Sequence, residues 1–180
     1  MEAEDIMTRT IVALLCLAMP AVAAAQNPVS DTVREAWNGA RGNLVRAGEA
    51  MPEAKFAFKP VDTVRTYGQI LAHVAGANYI FCAAARGEKA PFSEDHFEKS
   101  ATTKAAIMKA LAEANAYCDA AYKALTDKTA VEMVASAFGN SKATRVSALL
   151  GNTGHHQEHY GNLVTYLRIN GIVPPSSAGQ

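Results

Sequence analysis

Apolar residues return at helical spacing along four stretches of this chain, and nowhere do they alternate with period two. Val33, Trp37, Ala40, Leu44, Ala47 and Met51 follow one another at steps of four and three, which puts them on one face of a helix. Ser30 or Asp31 can cap that helix, and Pro52 stops it. A polar connection over 52–65 leads to Thr66-Tyr67-Gly68-Gln69, which has the spacing of a capping box. Ile70, His73, Val74, Ala77 and Phe81 then share a face out to about Arg86, and Gly87 ends the run. Ile107, Leu111, Ala114, Cys118, Ala121 and Leu125 mark a third helix. Gly139-Asn140-Ser141 breaks the chain, and a fourth helix runs from about Lys142 to Asn170 before Gly171 and Pro174-Pro175. The pattern predicts an all-α fold without a sheet.

The connection Gly87 to Ser100 sets the direction of the third helix. It has 14 residues, whereas antiparallel neighbours in bundles need only about 2–8. A helix of this length spans roughly 30 Å, and the connection can reach roughly 46 Å when extended. It can therefore return along the bundle and start the third helix parallel to the second, giving an up-down-down-up four-helix bundle. In that arrangement Cys82 and Cys118 stand at similar heights. In an antiparallel pair they would be about 20 Å apart, too far for a bond that needs Cα atoms within about 7 Å. A Cys82–Cys118 disulfide is expected, with two buried free thiols as the alternative.

Residues 1–25 read as an export signal. Arg9 precedes the apolar stretch Ile11 to Ala24, and Ala23-Ala24-Ala25 offers a small-x-small cleavage pattern. Glu2, Glu4 and Asp5 suit a signal poorly, so Met7 is a candidate start. The domain proper is then 26–180, in a periplasmic or secreted setting where a disulfide persists. Without Arg9 and those three acids, 16 basic and 14 acidic side chains remain of the original 17 and 17. Such a balance gives no basic stripe for nucleic acid, and no membrane association is expected after cleavage.

The chemistry lies in the histidines. His155 and His159 are four apart, so both rings stand on one helical face and can reach one ion. His73 lies on the core stripe of the second helix, where a hydrogen-bonded core role is the plain alternative. Three imidazoles would leave a coordination position open for water, as in a catalytic metal site. His156 is turned about 100° from His155 and is expected to be exposed or supporting. His96, beside Glu94 and Asp95, is expected to be solvated.

His155-His156-Gln157-Glu158-His159-Tyr160-Gly161-Asn162-Leu163, leading into Tyr166-Leu167-Arg168 and Gly171, resembles the last-helix signature of the DinB/YfiT-like superfamily. Leu71-Ala72-His73-Val74-Ala75, followed by Ala77-Asn78-Tyr79, resembles its second-helix motif. The resemblance covers about 31–175. It implies an up-down-down-up four-helix bundle and a divalent metal held by His73, His155 and His159. Zinc is the first choice of ion, with nickel or iron as alternatives. Some members transfer or isomerise using low-molecular-weight thiols in the cytosol, whereas this chain carries an export pattern. A homodimer is implied only by analogy.

Competing motifs fall short. His155-x-x-Glu158-His159 matches the string of inverted zinc proteases, yet no Asp or Glu follows Glu158 to serve as the further ligand. No Glu lies three before any His, as a di-iron bundle requires. Glu158 could act as a base or orient an imidazole, and a solvated surface role is its alternative. Asn78, Tyr160 and His156 are candidate pocket residues with equally plain alternatives, and Arg168 suits the negative end of the last helix. Gly151, Gly154 and Gly161 interrupt that helix, each at a cost of about 1 kcal/mol relative to Ala. Their expected role is to let a helix or ligand approach the metal face. The resulting reading is an exported metal-dependent hydrolase or transferase acting on a small molecule. The alternative is a bundle that binds a metal or a partner without turnover.

Overall fold

A computed structural model describes residues 26–178; the proposed signal segment and cleavage site lie outside them. In chain order the elements are α1 (Pro28–Ala50), a 3₁₀ turn (Glu53–Lys55), α2 (Tyr67–Arg86), α3 (His96–Ser100), α4 (Lys104–Ala124) and α5 (Asp127–Ala130). They continue with β1 (Met133–Ala135), β2 (Lys142–Thr144), α6 (Arg145–Ile169) and a second 3₁₀ turn (Pro175–Ser177). The protein is mostly helical, and α1, α2, α4 and α6 form its body. No helix among the described residues is long and apolar enough to cross a membrane.

Local chemistry explains most boundaries. Thr66 and Gln69 form the reciprocal capping box that opens α2. Gly87, at φ 73°, closes it in the left-handed conformation that a Cβ disfavours. Thr103 caps α4 and Thr144 caps α6 through their side chains. α1 departs from expectation. It begins at Pro28, whose missing N–H costs nothing in a first turn, so neither Ser30 nor Asp31 caps it. Ser30 is buried instead, and its N–H and hydroxyl both donate to Asp127.

The absence of a sheet is also corrected. Met133–Ala135 pairs antiparallel with Lys142–Thr144, with Val134 opposite Ala143. Each strand has three residues and buries a single large apolar side chain at most, too short a run for alternation to show. Pairing of Lys142–Thr144 delays the start of α6 to Arg145. The long connection is likewise not bare loop, since it contains α3. Tyr79, Phe92 and Phe97 pack their rings together over it, with centroids 5.0–5.9 Å apart.

Contacts between the long helices fix their directions. Asn78 meets Asn115, and Cys82 is disulfide-bonded to Cys118 with Cα atoms 5.3 Å apart, so numbers rise together along α2 and α4. Trp37 donates to Asp119, while Arg34 donates to the Leu125 carbonyl, so α1 opposes α4. Along α2 and α6, His73 meets His155 and Arg145 meets the Ala85 carbonyl, again in opposition. One buried cluster centres on Leu44, Leu71, Leu111 and Leu167, the other on Trp37, Cys82, Tyr122 and Leu149. On α6 the histidines fall between members of the two clusters, and on α2 His73 lies among members of the first.

Candidate metal centre

α2 and α6 bring together the three imidazoles singled out in the sequence. His73 and His159 are buried and His155 is half-buried. His155 Nε2 stands 3.1 Å from His73 Nε2 and 3.1 Å from His159 Nε2. One ligand atom from each ring lies within 4.8 Å of those of the other two. The i, i+4 spacing supplies one pair, and the opposed packing of α2 supplies the third ring.

The outer nitrogens show which way these rings face. Glu98, from α3, places one carboxylate oxygen 3.0 Å from His73 Nδ1. Its other oxygen accepts from Arg65 Nε at 3.0 Å. A carboxylate can only accept, so His73 carries its proton on Nδ1 and turns the Nε2 lone pair toward the other rings. The Asn162 amide lies 3.3 Å from His159 Nδ1. Burial, then the field of neighbouring rings, pushes His155 down to about 3 and His159 down to about 4. Both are therefore neutral, the form that binds metals. The 3.1 Å Nε2 contacts are bridged by a shared ring proton or by a cation that takes its place, and three imidazoles suit a divalent cation of the zinc, nickel or iron kind. The donor set fits the ion expected from the sequence.

A cleft of about 820 Å³ opens beside His159, between the 52–66 connection and α6. Arg65, Gln69, Ile70, Glu158, Asn162 and Tyr166 are among its lining residues. Glu158 thus stands exposed on a cleft wall next to the imidazoles. The other candidate pocket residues lie elsewhere. Asn78 is buried and donates to Asn115 Oδ1 at 3.0 Å. Tyr160 accepts from the Ser176 N–H at 2.9 Å and ties down the C-terminal segment. His156 is fully buried, which rules out the exposed alternative of the two expected for it. Its Nδ1 donates to the Asn152 carbonyl at 3.1 Å, and its ring meets Trp37 edge-on at 4.8 Å. His96 is not simply solvated, because its ring stacks on Phe92 at 4.6 Å.

The glycines of α6 do not share one role. A Cβ at Gly151 would come within 3.0 Å of the Phe81 ring, so that glycine does admit a neighbour. Gly154 and Gly161 have nothing within 4 Å, so no other helix of the chain makes a close approach at either. Sequence reasoning missed Glu98, Arg65 and Asn162. Only Asn162, three residues after His159, carried a local signal for its role.

A DinB superfamily profile matches residues 36–163. The chain belongs to the DinB superfamily. Among solved structures, a DinB-like protein of Bacillus subtilis superposes with a TM-score of 0.61 at 19% identity, covering 78% of this chain and 92% of that one. A DinB-like protein of Bacillus cereus gives 0.64 at 14% identity, covering 81% and 95%. The mycothiol-dependent maleylpyruvate isomerase gives 0.62 at 16% identity, covering 74% of this chain and 60% of that one. At these identities the likeness is one of fold. No curated protein matches the chain in sequence.

Proposed function

We propose that this DinB superfamily member is an exported metal-dependent enzyme of hydrolase or transferase type, built as an up-down-down-up four-helix bundle. The observation that carries the reading is the convergence of three Nε2 atoms, with His73 oriented from behind by Glu98. His73, His155 and His159 would hold a divalent ion, zinc before nickel or iron. Such an ion, when bound, activates water, binds a thiolate or polarises a carbonyl. The chain's own residues do the rest. Glu98 fixes the tautomer and tilt of His73, the carboxylate–imidazole pairing that tunes metal sites. Arg65 and Asn162 give the cleft polar groups to orient a small molecule, and Glu158 offers a carboxylate on its wall. The thiol-dependent isomerase among the fold neighbours supports a group-transfer or isomerisation chemistry as one branch of this reading.

The ascending pairs on α2 and α4 and the opposed pairs elsewhere support the bundle order. The Cys82–Cys118 bond supports an oxidising compartment, hence a periplasmic or secreted location after removal of residues 1–25. No nucleic-acid or membrane partner is proposed, and a homodimer rests on analogy alone.

Elemental analysis of protein purified without a His tag tests the centre. About one zinc, nickel or iron per chain is expected, with loss in His73→Ala, His155→Ala and His159→Ala. Metal content that is absent or unchanged by these substitutions refutes it. A Co²⁺-substituted form then separates enzyme from binding bundle. Its visible spectrum shifts with azide or a small thiol if a position is open, and stays fixed if the ion is saturated.

A further inference from the structure

Arg65 is the only lysine or arginine among the described residues that line the cleft beside His159. It is held at two places. Its carbonyl accepts from the Tyr166 hydroxyl at 2.8 Å, and the next residue, Thr66, caps α2. Its side chain is held at Nε, which donates to Glu98 at 3.0 Å. The other oxygen of that carboxylate lies 3.0 Å from His73 Nδ1, so a single carboxylate separates the guanidinium from the imidazole group.

A guanidinium carries five N–H donors. Glu98 is the only acceptor for this side chain among the described residues. One carboxylate oxygen cannot occupy all five donors, and the Arg65 side chain is 44% exposed. Donors are therefore left for a solute, on a group whose position is already fixed, so little further ordering opposes binding. A planar fork of N–H groups matches a carboxylate through two parallel bonds.

The surrounding charge selects among anions. Glu158 and Asp62 line the same cleft; Asp62 is paired with Lys59 at 3.0 Å, and Glu158 is exposed. A lone guanidinium in a cleft that also carries two carboxylates suits one negative charge better than two. That favours a carboxylate over a phosphate dianion. Pro60, Val64 and Ile70 give the same cleft an apolar wall for the body of a small molecule.

We propose that the cleft takes a small carboxylic acid as its monoanion, with the carboxylate on Arg65 and the rest of the molecule reaching along the cleft toward His159. This rests on the reading of the imidazole centre and the cleft as one site, and it names the substrate class for that site.

The test titrates benzoate, its neutral counterpart benzamide, and inorganic phosphate into ¹⁵N-labelled tag-free protein, both zinc-loaded and metal-free. NMR follows the Arg65 Nε–H signal, assigned through bonds from the backbone, so the wild-type titration needs no variant to fold. Benzoate is expected to shift that signal in both metal states, and benzamide to leave it in place. Benzoate affinity is expected to fall about tenfold or more in Arg65→Gln. A smaller fall is expected in Arg65→Lys, which keeps the charge and loses the fork. A signal that ignores benzoate overturns the proposal, as does equal binding of benzoate and benzamide or an unchanged affinity in Arg65→Gln. Phosphate that shifts the signal at lower concentration than benzoate overturns the choice of a carboxylate. A wild type that takes up no zinc yet answers benzoate at Arg65 fails the three-His reading alone, and the converse fails Arg65 alone.

Discussion

Glu98 does two jobs with one carboxylate, holding His73 Nδ1 with one oxygen and Arg65 Nε with the other. Glu98→Gln keeps the shape but replaces one acceptor with a donor, so it cannot hold both N–H groups. Loss of such a support typically lowers metal affinity about 10–100-fold, and chelator competition should show a fall in that range with all three imidazoles in place. An unchanged affinity would remove Glu98 from the site. The facing pair of imidazoles on α6 was legible from its spacing, and His73 from its place on a stripe. Glu98 was not, because its role depends on where a 14-residue connection comes to rest. His156, expected to be exposed or supporting, is buried for a different reason. A turn of about 100° does carry it off the face of His155 and His159, but α6 also packs on α1, so away from those rings means against Trp37 rather than into water. Gly154 is exposed with open space around it, so Gly154→Ala should raise stability by about 0.5–1 kcal/mol through helix propensity alone. Thermal unfolding of the variant checks this, and a fall in melting temperature would restore a packing role.

At the scale of elements, the direction of α4 was readable because loop length and cysteine height pointed the same way. The hairpin was not, since three-residue strands show no period. The disulfide that joins α2 to α4 spans a sequence separation of 36. In the chain-entropy account, closing a loop of that size stabilises the fold by about 4 kcal/mol. Reduction should shift the urea midpoint down accordingly, read on protein whose thiols are counted before and after. A midpoint that stays put once two thiols titrate would contradict it. Gly76→Ala tests the other tie on α2. The added Cβ meets Glu94 backbone rather than a movable side chain, so the connection must lift. Metal affinity should fall together with melting temperature, whereas loss of melting temperature alone would separate the approach at Gly76 from the site.

Across the whole molecule, a metal-free core of this kind holds several neutral imidazoles that an unfolded chain would protonate. His156 is the simplest case. Burial pushes it from 6.5 to about 3, and no part of it is exposed. His155 and His159 are lowered to about 3 and about 4, first by burial and then by neighbouring rings. As pH falls below 6.5 the unfolded chain takes up protons on these rings and the folded chain does not. The unfolded state is then favoured, so stability is present in full above about pH 7 and is lost steadily on acidification toward pH 4. His156 alone contributes a slope of about 1.4 kcal/mol per pH unit in that window. The two facing histidines add to it with the same sign. Denaturant unfolding of the apoprotein between pH 8 and pH 4 should therefore show a falling midpoint, shallower in His156→Gln. Bound metal opposes the trend at neutral pH, because an ion that binds only the folded chain adds about 2.7 kcal/mol at a hundredfold excess over its Kd. It must compete with protons for the same nitrogens as pH falls, so the gap between metal-loaded and metal-free melting temperatures should close on acidification. A gap that stays constant from pH 8 to pH 4 would mean that the ion, if bound, is held by groups other than these imidazoles.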